Sequence, residues 1–327
     1  MPKTGAVFEV QKEAGSPAGD VSQITATSSQ HFLTRKKIII IIITMVGVIS
    51  LALGLGLGIG LTHASPASPS PSPSPKGSTS SAAIVQPAVG TTWDYPLGFP
   101  LTPANANGST AFYAVDLEDT PAATIGALRA AGHTVACYFS AGSAEAYRAD
   151  AGAFPAAAVG NTLDGWPDER WLDVRDAGVR AVMSARIRRA AAKGCAGVDP
   201  DNVDGYDNDS GFPLAADDAA DYVRFLAAEA RAAGLAFGLK NAGALVPRVL
   251  DVAQWAINEE CAAYRECADW APFIAAGKPV FHVEYVDDDD ATTVTPSKLA
   301  AACAADGQSG FSTIVKHYTL DNWVVYC

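Results

Sequence analysis

Short apolar runs alternate with longer, alanine-rich amphipathic stretches from residue 111 to the end of the chain. The runs have the length of β-strands, and the stretches have the period of helices. The pattern predicts strands at residues 112–117, 134–140, 170–174, 196–201, 236–241, 255–259, 279–285 and 312–318. It predicts helices between them at residues 120–131, 177–192, 216–233, 244–250, 270–276 and 296–305.

Strands that alternate with helices are typical of a parallel sheet, and eight of them predict an α/β fold closed as a (β/α)8 TIM barrel. An open, doubly wound sheet is the alternative, although no GxGxxG turn follows the first strand. Gly132, Gly194, Gly234 and Gly277 follow predicted helices. We expect a left-handed backbone at each of these glycines.

The chain before the predicted barrel has three parts. Residues 1–37 are predicted to be a disordered tail, because they are rich in Ser, Thr, Gly and other small residues. The tail is placed in the cytoplasm because the basic triplet Arg35-Lys36-Lys37 directly precedes an apolar stretch. Residues 38–61 carry no charge and are predicted to be a transmembrane helix, with a cleaved signal peptide as the alternative. Residues 62–90 form a Ser/Pro-rich linker, and residues 91–327 are the predicted barrel domain, placed outside the cell.

Charge and cysteine content narrow the class of protein. The chain has 23 basic and 35 acidic residues, a net charge of −12. Such a balance argues against a nucleic-acid partner and is compatible with a cationic substrate. All six cysteines follow the apolar stretch, which predicts disulfides in an oxidising compartment. Cys261 and Cys267 are the first pair expected; zinc binding is the competing interpretation, but no CxxC pair is present.

Polar side chains collect at the carboxyl ends of the predicted strands, which meet at one face of a barrel. They are Asp116, Glu118, Ser140, Asp173, Asp199, Asp201, Lys240, Asn241, Asn258, Glu259, Glu284, Lys316 and His317. This one-sided distribution predicts an active site at that face. A calcium loop beginning at Asp199 does not fit the EF-hand spacing, and a solvated acidic loop is the remaining structural interpretation.

Two carboxyl groups on opposite sides of a barrel opening can catalyse glycoside hydrolysis. One acts as the nucleophile or base, and the other protonates the leaving group. Asp201 ends the fourth predicted strand and Glu259 the sixth, so we expect them to face each other. Asp199, Asp204 and Glu260 are alternatives that periodicity leaves open. Metal-dependent hydrolysis has little support, because the sequence contains neither an HExxH motif nor an HxH on the first strand.

Aromatic side chains near the same loops suit a saccharide groove, since sugar rings present apolar C–H faces; core packing is the alternative for each of them. They are Tyr138, Trp166, Trp171, Tyr206 and Tyr285. Lys240 and Asn241 are candidates for binding sugar hydroxyls or tuning a carboxylate, and a Schiff base on Lys240 is a further alternative.

Six segments resemble glycoside hydrolase family 114, the endo-α-1,4-polygalactosaminidases. They are CYFSAGS at residues 137–143, GWPDERWLDVR at 165–175, GVDPDNVDGY at 197–206, GLKN at 238–241, INEEC at 257–261 and EY at 284–285. Two positions depart from the usual family pattern: Ala196 replaces an aspartate, and Glu260 replaces a glutamine. The extra charge of Glu260 is expected either to raise the pKa of Glu259 or to be solvated.

The resemblance implies a TIM barrel that cuts internal α-1,4 linkages of galactosamine-containing polymers by a retaining mechanism. No cofactor or metal is expected. The resemblance also implies that Asp201 is the nucleophile and Glu259 the acid/base. Residues expected to bind the polysaccharide are Asp116, Tyr138, Ser140, Trp166, Asp173, Asp199, Asn202, Asp204, Tyr206, Lys240, Asn241, Asn258, Glu284 and Tyr285. Several of the acidic ones are expected to pair with the ammonium group of de-N-acetylated galactosamine.

The sequence therefore predicts a membrane-tethered, extracellular and monomeric glycosidase domain. A catalytically silent surface lectin for amino-sugar polymers is the alternative from another class. An α-glycosidase with a different galacto-configured substrate is the third possibility.

Overall fold

The computed structural model describes residues 84–286 and 292–327. Its strands are β1 (Trp93–Asp94), β2 (Phe112–Asp116), β3 (Thr134–Ser140), β4 (Ser143–Glu145), β5 (Val159–Leu163), β6 (Trp166–Leu172), β7 (Gly197–Asp201), β8 (Ala236–Lys240), β9 (Trp255–Glu259), β10 (Val280–Tyr285), β11 (Ser312–Lys316) and β12 (Val324–Tyr326). Its α-helices are α1 (Ala122–Ala130), α2 (Ala177–Lys193), α3 (Ala216–Ala232), α4 (Val246–Val249), α5 (Cys261–Tyr264), α6 (Ala271–Ala275) and α7 (Pro296–Cys303).

The main sheet is a nearly closed, barrel-like layer of parallel strands. Its order is β1-β2-β3-β7-β8-β9-β10-β11, and β12 adds to β11 in the antiparallel direction. The two ends of the parallel layer approach each other, because Trp93 Nε1 donates to the carbonyl of Ser312 at 2.7 Å. Lys316 Nζ also donates to Asp94 Oδ1 at 2.7 Å. This sheet confirms the predicted α/β class and its barrel-like architecture.

The strand predicted at residues 170–174 does not belong to the barrel. These residues overlap β6, which pairs antiparallel with β4 and β5 in a separate three-stranded sheet. The barrel begins instead with the two-residue strand β1, which is too short to give an apolar run. The two errors offset each other in the count, so β7 and β9 are still the fourth and sixth barrel strands.

Helix α2 shows how local sequence sets the elements around the barrel. It begins after Asp176, whose side chain accepts hydrogen bonds from the backbone of Gly178 at 2.7 Å and Val179 at 3.1 Å. It ends at Gly194, where φ is 87°. A left-handed residue of this kind closes the helix and favours glycine. The same conformation is present at the other three glycines predicted to end helices.

The barrel has one hydrophobic core inside the strands and another between the strands and the helices. The inner core contains Trp93, Phe112, Trp255 and Phe281, all fully buried. The ring of Trp255 has room inside the barrel because β7 and β8 carry glycine next to it. A Cβ on Gly197 would lie 2.4 Å from Trp255 Cη2, and one on Gly238 would lie 2.1 Å from Trp255 Nε1. Burial of each large ring stabilises the fold by roughly 1.5–3 kcal/mol.

Three disulfides link the described part of the chain: Cys137–Cys195, Cys261–Cys267 and Cys303–Cys327. The predicted Cys261–Cys267 pair is confirmed. Within residues 84–286 and 292–327, no helix is both long and apolar enough to cross a membrane. The predicted tail, the predicted span at residues 38–61 and the linker up to residue 83 lie outside the described residues.

Candidate active site

Three adjacent barrel strands end on the residues that form the centre of the site. Strand β7 ends at Asp201, β8 at Lys240 and β9 at Glu259. The residue that follows each strand has a left-handed backbone. These residues are Asn202, Asn241 and Glu260, with φ of 59°, 46° and 63°. Such conformations are rare for residues other than glycine and collect at functional sites. The chain therefore turns sharply directly after each of the three side chains.

Lys240 connects the two carboxylates that flank it. Its Nζ lies 2.9 Å from Asp201 Oδ2 and 3.0 Å from Glu259 Oε2. These two oxygens are therefore no more than 5.9 Å apart, the sum of the two distances. The side chain of Lys240 is 1% exposed, whereas Asp201 is 13% and Glu259 26% exposed. A ligand in the cleft can reach the carboxylates, while the lysine lies beneath them.

Two tyrosines complete the surroundings of Asp201 and Lys240. Tyr138 donates to Asp201 Oδ2 at 3.1 Å. Tyr95 accepts a hydrogen bond from Lys240 at 2.8 Å and donates to Asp199 Oδ2 at 3.3 Å. Lys240 thus directs hydrogen bonds to Tyr95, Asp201 and Glu259, which occupies all three donors of an ammonium group. Its pKa is raised well above the ordinary value, since the attraction of Asp201 and Glu259 outweighs burial.

This protonated state of Lys240 argues against the Schiff-base alternative. A lysine that forms a Schiff base attacks as the neutral amine, and Lys240 has no free lone pair here. The predicted contact of Lys240 with sugar hydroxyls is also not supported, because its donors are directed to side chains of the protein. Its interaction with the neighbouring carboxylates agrees with the other predicted role, that of tuning them.

Glu259 is held from two sides in a form that favours its negative charge. Asn241 Nδ2 donates to Glu259 Oε2 at 3.1 Å, and the Tyr285 hydroxyl donates to Glu259 Oε1. Burial alone would raise the pKa of Glu259, but the ammonium of Lys240 and these hydrogen bonds outweigh it. The pKa of Glu259 therefore lies below its ordinary value.

The charge of Glu260 does not set the net pKa shift of Glu259. This charge does not raise the pKa of Glu259 above the ordinary value, because Lys240 dominates that carboxylate. Glu260 is also not simply solvated: it is partly buried and accepts a hydrogen bond from Tyr318 at 2.6 Å. Burial raises the pKa of Glu260 itself to about 7, and the nearby charge of Glu259 adds to this effect.

Asp199 lies one inward position below Asp201 on β7. It is fully buried, and its Oδ1 has no hydrogen-bond partner. Burial raises the pKa of Asp199 to about 7 against the attraction of Lys240, and the negative charges of Asp201 and Glu259 contribute in the same direction. A carboxyl in this position is held mainly in its neutral form below pH 7.

Most of the acidic side chains expected to bind an ammonium group already have partners. Asp116 is paired with Arg148 at 2.5 Å, and Asp173 with Arg175 at 2.8 Å. Glu284 is buried and accepts from His282 at 2.9 Å and from the backbone N–H of Ala262 at 2.9 Å. These contacts hold loops and helix ends in place, and they do not support direct binding of a cationic sugar.

Asp204 differs from those acids because it forms no ion pair that the structure records. It is partly buried on the loop after β7 and accepts from Asn208 Nδ2 at 3.3 Å. Burial raises the pKa of Asp204, and the charge of Asp201 raises it further. Asp204 is therefore the remaining predicted candidate for an ammonium group.

A buried polar network links the barrel to the three-stranded sheet beside the cleft. Asn202 Nδ2 donates to Ser140 Oγ at 2.9 Å, and Ser140 Oγ bonds to Ser143 Oγ. Ser143 Oγ donates to Glu169 Oε2 at 2.6 Å. Burial raises the pKa of Glu169 to about 7, and the charge of Glu145 adds to the shift. Ser140 and Asn202, both expected to bind substrate, thus support the wall of the cleft.

The remaining predicted residues occupy less central positions. Asn258 is buried and accepts from the backbone N–H of Cys261 at 3.1 Å, which stabilises the turn after β9. Trp166 is partly buried at the start of β6, and Tyr206 is partly buried in the short helical turn Gly205–Asp207. Trp171 is buried, in agreement with the core-packing alternative for this aromatic residue.

Zinc ligation by cysteine has no support in the described part of the chain. Cys261, Cys267 and His282 bring potential ligand atoms within 4.8 Å of one another. Both sulfurs of that group are joined in a disulfide, so neither is available as a thiolate ligand.

Tyr95 is the functional residue that sequence reasoning missed. It follows β1, a strand that gives no periodic signal, and it contacts Lys240 across 145 positions of sequence. The only local hint is the Trp93-Asp94-Tyr95 segment, in which two aromatic residues flank an aspartate. Both aromatic side chains point into the barrel core.

The barrel-like fold and the comparisons with known proteins identify a glycoside hydrolase, an enzyme that cleaves O-glycosyl bonds. The model of glycoside-hydrolase family GH114 matches residues 74–327, and the chain belongs to this family. The crystal structure of Aspergillus fumigatus Ega3 in complex with galactosamine has 46% identity to the chain and a TM-score of 0.72. That match covers 75% of this chain and 98% of Ega3.

A more distant structure shares the fold. The glycoside hydrolase domain of PelA from Pseudomonas aeruginosa has 19% identity and a TM-score of 0.51, and the match covers 72% of this chain and 96% of that domain. A variant of the same domain has 18% identity, a TM-score of 0.55 and coverage of 72% and 98%. A search of curated proteins finds no significant match.

Proposed function

We propose that the protein is a retaining endo-glycosidase that cleaves α-1,4-linked, galactosamine-containing polysaccharide. The observation that carries the proposal is that Asp201 and Glu259 contact the same buried lysine, Lys240. Their carboxylate oxygens are therefore no more than 5.9 Å apart. Retaining glycosidases hold their carboxyl groups about 5–5.5 Å apart, and inverting ones about 6.5–9.5 Å apart. The substrate class is supported by 46% identity to Ega3, which was crystallised with galactosamine.

The reaction takes place in two displacements. Asp201 attacks the anomeric carbon as the bond to the leaving oxygen breaks, and Glu259 protonates that oxygen. Water then attacks the same carbon, the bond to Asp201 breaks, and Glu259 accepts a proton from the water. The product keeps the α configuration of the substrate. The contact from Tyr138 orients Asp201, and those from Asn241 and Tyr285 orient Glu259.

The charge of the protein supports a cationic polymer as the substrate. The chain has a net charge of −12, and de-N-acetylated galactosamine carries an ammonium group at neutral pH. Asp204 is the partly buried carboxylate near Asp201 that has the capacity for such a partner. We further propose that residues 38–61 anchor the chain in the cell membrane and that the linker presents the enzyme outside.

The test is to incubate the purified protein with galactosaminogalactan of known acetylation and to size the products. We expect a ladder of oligosaccharides with new α reducing ends, which NMR identifies before mutarotation. Asp201→Asn and Glu259→Gln should each reduce turnover by about 10³-fold or more while the circular dichroism spectrum is unchanged. Asp217→Asn, a largely exposed position on α3, is the matched control.

The alternative functions give different results in the same experiment. A lectin would bind the polymer and release no products, and the two substitutions would remove no turnover. A glycosidase for another galacto-configured substrate would cleave a neutral α-linked galactan and leave the amino-sugar polymer intact. Inversion of the anomeric configuration would contradict the retaining mechanism.

A further inference from the structure

Lys240 is placed so that it contacts both proposed catalytic carboxylates and cannot readily leave either of them. It projects from β8, the strand between those that carry Asp201 and Glu259. Tyr95 accepts its third hydrogen bond at 2.8 Å from below. The side chain is 1% exposed, so water does not replace these partners. One fixed positive charge is therefore shared by two carboxylates.

The two displacements make opposite demands on Glu259. In the first, Glu259 must be protonated, and the nearby negative charge of Asp201 favours that form. In the second, Glu259 must be ionised to take a proton from water. The ester formed on Asp201 carries no charge, whereas the charge of Lys240 remains. The ammonium 3.0 Å from Glu259 Oε2 is then no longer shared with an ionised Asp201.

We propose that Lys240 is the positioning residue that holds Glu259 in its ionised form once Asp201 has become a glycosyl ester. The inference rests on the proposed function and concerns its second displacement. Lys240 keeps its proton throughout. The water oxygen bonds to the anomeric carbon, the electron pair of the breaking ester bond returns to Asp201, and the water proton goes to Glu259.

Other groups around Glu259 contribute to its charge state and are unchanged by the Lys240→Met substitution. Asn241 and Tyr285 donate hydrogen bonds to it from the ends of β8 and β10. Asp199 and Glu260 are nearby acids with pKa raised to about 7. Tyr95 lies across the barrel interior and is neutral, because burial raises its pKa well above the ordinary value. Among residues 84–286 and 292–327, Lys240 is the cation in direct contact with Glu259.

The test compares Lys240→Met with the wild type in each half-reaction. An α-galactosaminyl fluoride supplies a good leaving group, so the first displacement needs little help from an acid. Intact-mass spectrometry after rapid quenching then shows whether the glycosyl-enzyme accumulates. We expect the adduct to dominate in Lys240→Met and not in the wild type. The pH at which the breakdown rate of the adduct is half-maximal should be higher in Lys240→Met by about one to three pH units. This is the range by which an adjacent opposite charge shifts the pKa of a carboxyl group.

Lys316→Met is the matched control. Lys316 is also fully buried at the end of a barrel strand and is paired with a carboxylate, Asp94, at 2.7 Å. Truncation removes a buried ammonium group there as well, but that group contacts neither Asp201 nor Glu259. We expect this variant to be less stable, with the pH dependence of both half-reactions unchanged and no accumulated adduct.

A purely structural role for Lys240 predicts a different result. Lys240→Met would then slow both half-reactions by the same factor at every pH, without an adduct, and this outcome overturns the inference. If Lys240→Met does not fold, Tyr95→Phe provides the test. This variant retains the ammonium group of Lys240 and removes one of its hydrogen-bond acceptors. The pH profile of adduct breakdown should then move in the same direction, but by less. No shift would again overturn it. A wild-type enzyme that forms no product from fluoride or polymer contradicts the proposed function instead.

Discussion

Tyr285 and Tyr318 stack with their ring centroids 4.3 Å apart, and their hydroxyl groups donate to two consecutive residues of the chain. Tyr285 donates to Glu259, and Tyr318 donates to Glu260. The stacked pair therefore offers two similar substitutions with different targets.

Tyr285→Phe should raise the pKa of Glu259, because a hydrogen bond donated to a carboxylate stabilises its ionised form. We expect the basic limb of the kcat/KM profile to move up by about one pH unit, since that limb reports the acid of the free enzyme. Tyr318→Phe removes the matching hydroxyl from Glu260 and is the control. Equal shifts in both variants would show that the stack, rather than the hydroxyl on Glu259, sets the profile.

The wild-type enzyme should be most active on the acidic side of neutrality. The pKa of Glu259 lies below its ordinary value through Lys240 and two hydrogen bonds, so the protonated fraction of this acid rises as the pH falls. We expect kcat/KM to increase from pH 8 to pH 5, measured on a polymer of fixed acetylation. A profile that rises towards alkaline pH would contradict Glu259 as the general acid.

Asp204→Asn should reduce the preference for de-N-acetylated polymer. Asp204 forms no ion pair within the described part of the chain, whereas Asp173 is paired with Arg175, so Asp173→Asn is the control. Loss of one charge-assisted contact corresponds to about a tenfold decrease of kcat/KM. We expect that decrease on the de-N-acetylated polymer and little change on the acetylated one. Similar losses on both polymers would assign Asp204 a structural role.

Thermal stability should fall as the pH rises from 5 to 8. Burial raises the folded-state pKa of Asp199, Glu169 and Glu260 to about 7, while the unfolded chain loses these protons near pH 4. Between these values the folded protein retains protons that the unfolded chain has lost, so stability decreases with pH. A difference of one between the folded-state and unfolded-state pKa of a group corresponds to about 1.4 kcal/mol of stability.

The measurement is the unfolding midpoint at several pH values. Asp199→Asn removes one of these three ionisations and should make the dependence less steep. An unfolding midpoint that is higher at pH 8 than at pH 5 would mean that other charges outweigh these buried acids.

The disulfides should differ in their contribution to stability. Cys137–Cys195 closes a loop with a sequence separation of 58, and Cys261–Cys267 one of 6. The loss of loop-closure entropy in the unfolded chain corresponds to about 4 kcal/mol for the longer loop and about 2 kcal/mol for the shorter. Double serine variants of each pair, compared by denaturant unfolding, should follow this order. The reverse order would indicate that local strain or packing dominates.

Sequence reasoning placed Asp201 and Glu259 correctly at strand ends because both follow apolar runs that stop at a polar residue. The assignment of roles to them came from the family resemblance and stays a prediction. Residues 170–174 were mistaken for a barrel strand because an antiparallel strand at the surface can also present a short apolar segment. β1 was missed since two residues give no pattern.

The contacts of Lys240 were beyond any local pattern. Its partners Asp201 and Glu259 lie 39 and 19 positions away in sequence. A lysine at a strand end is equally compatible with solvent, sugar or carboxylate as its partner, and burial decides among them. Burial in turn depends on the closure of the whole barrel, including the missed strand β1.

The three-stranded sheet lies between β3 and α2 in the chain, where a simple barrel has only a short connection. Strands β3 and β7 still pair directly, with Ser140 opposite Asp201. The inserted sheet therefore lies beside the cleft, whereas the position of Asp201 is set by the pairing of β7 with β3. Replacement of β4–β6 by the corresponding segment of a relative is therefore expected to change which polymers bind, while Asp201 and Glu259 stay in place.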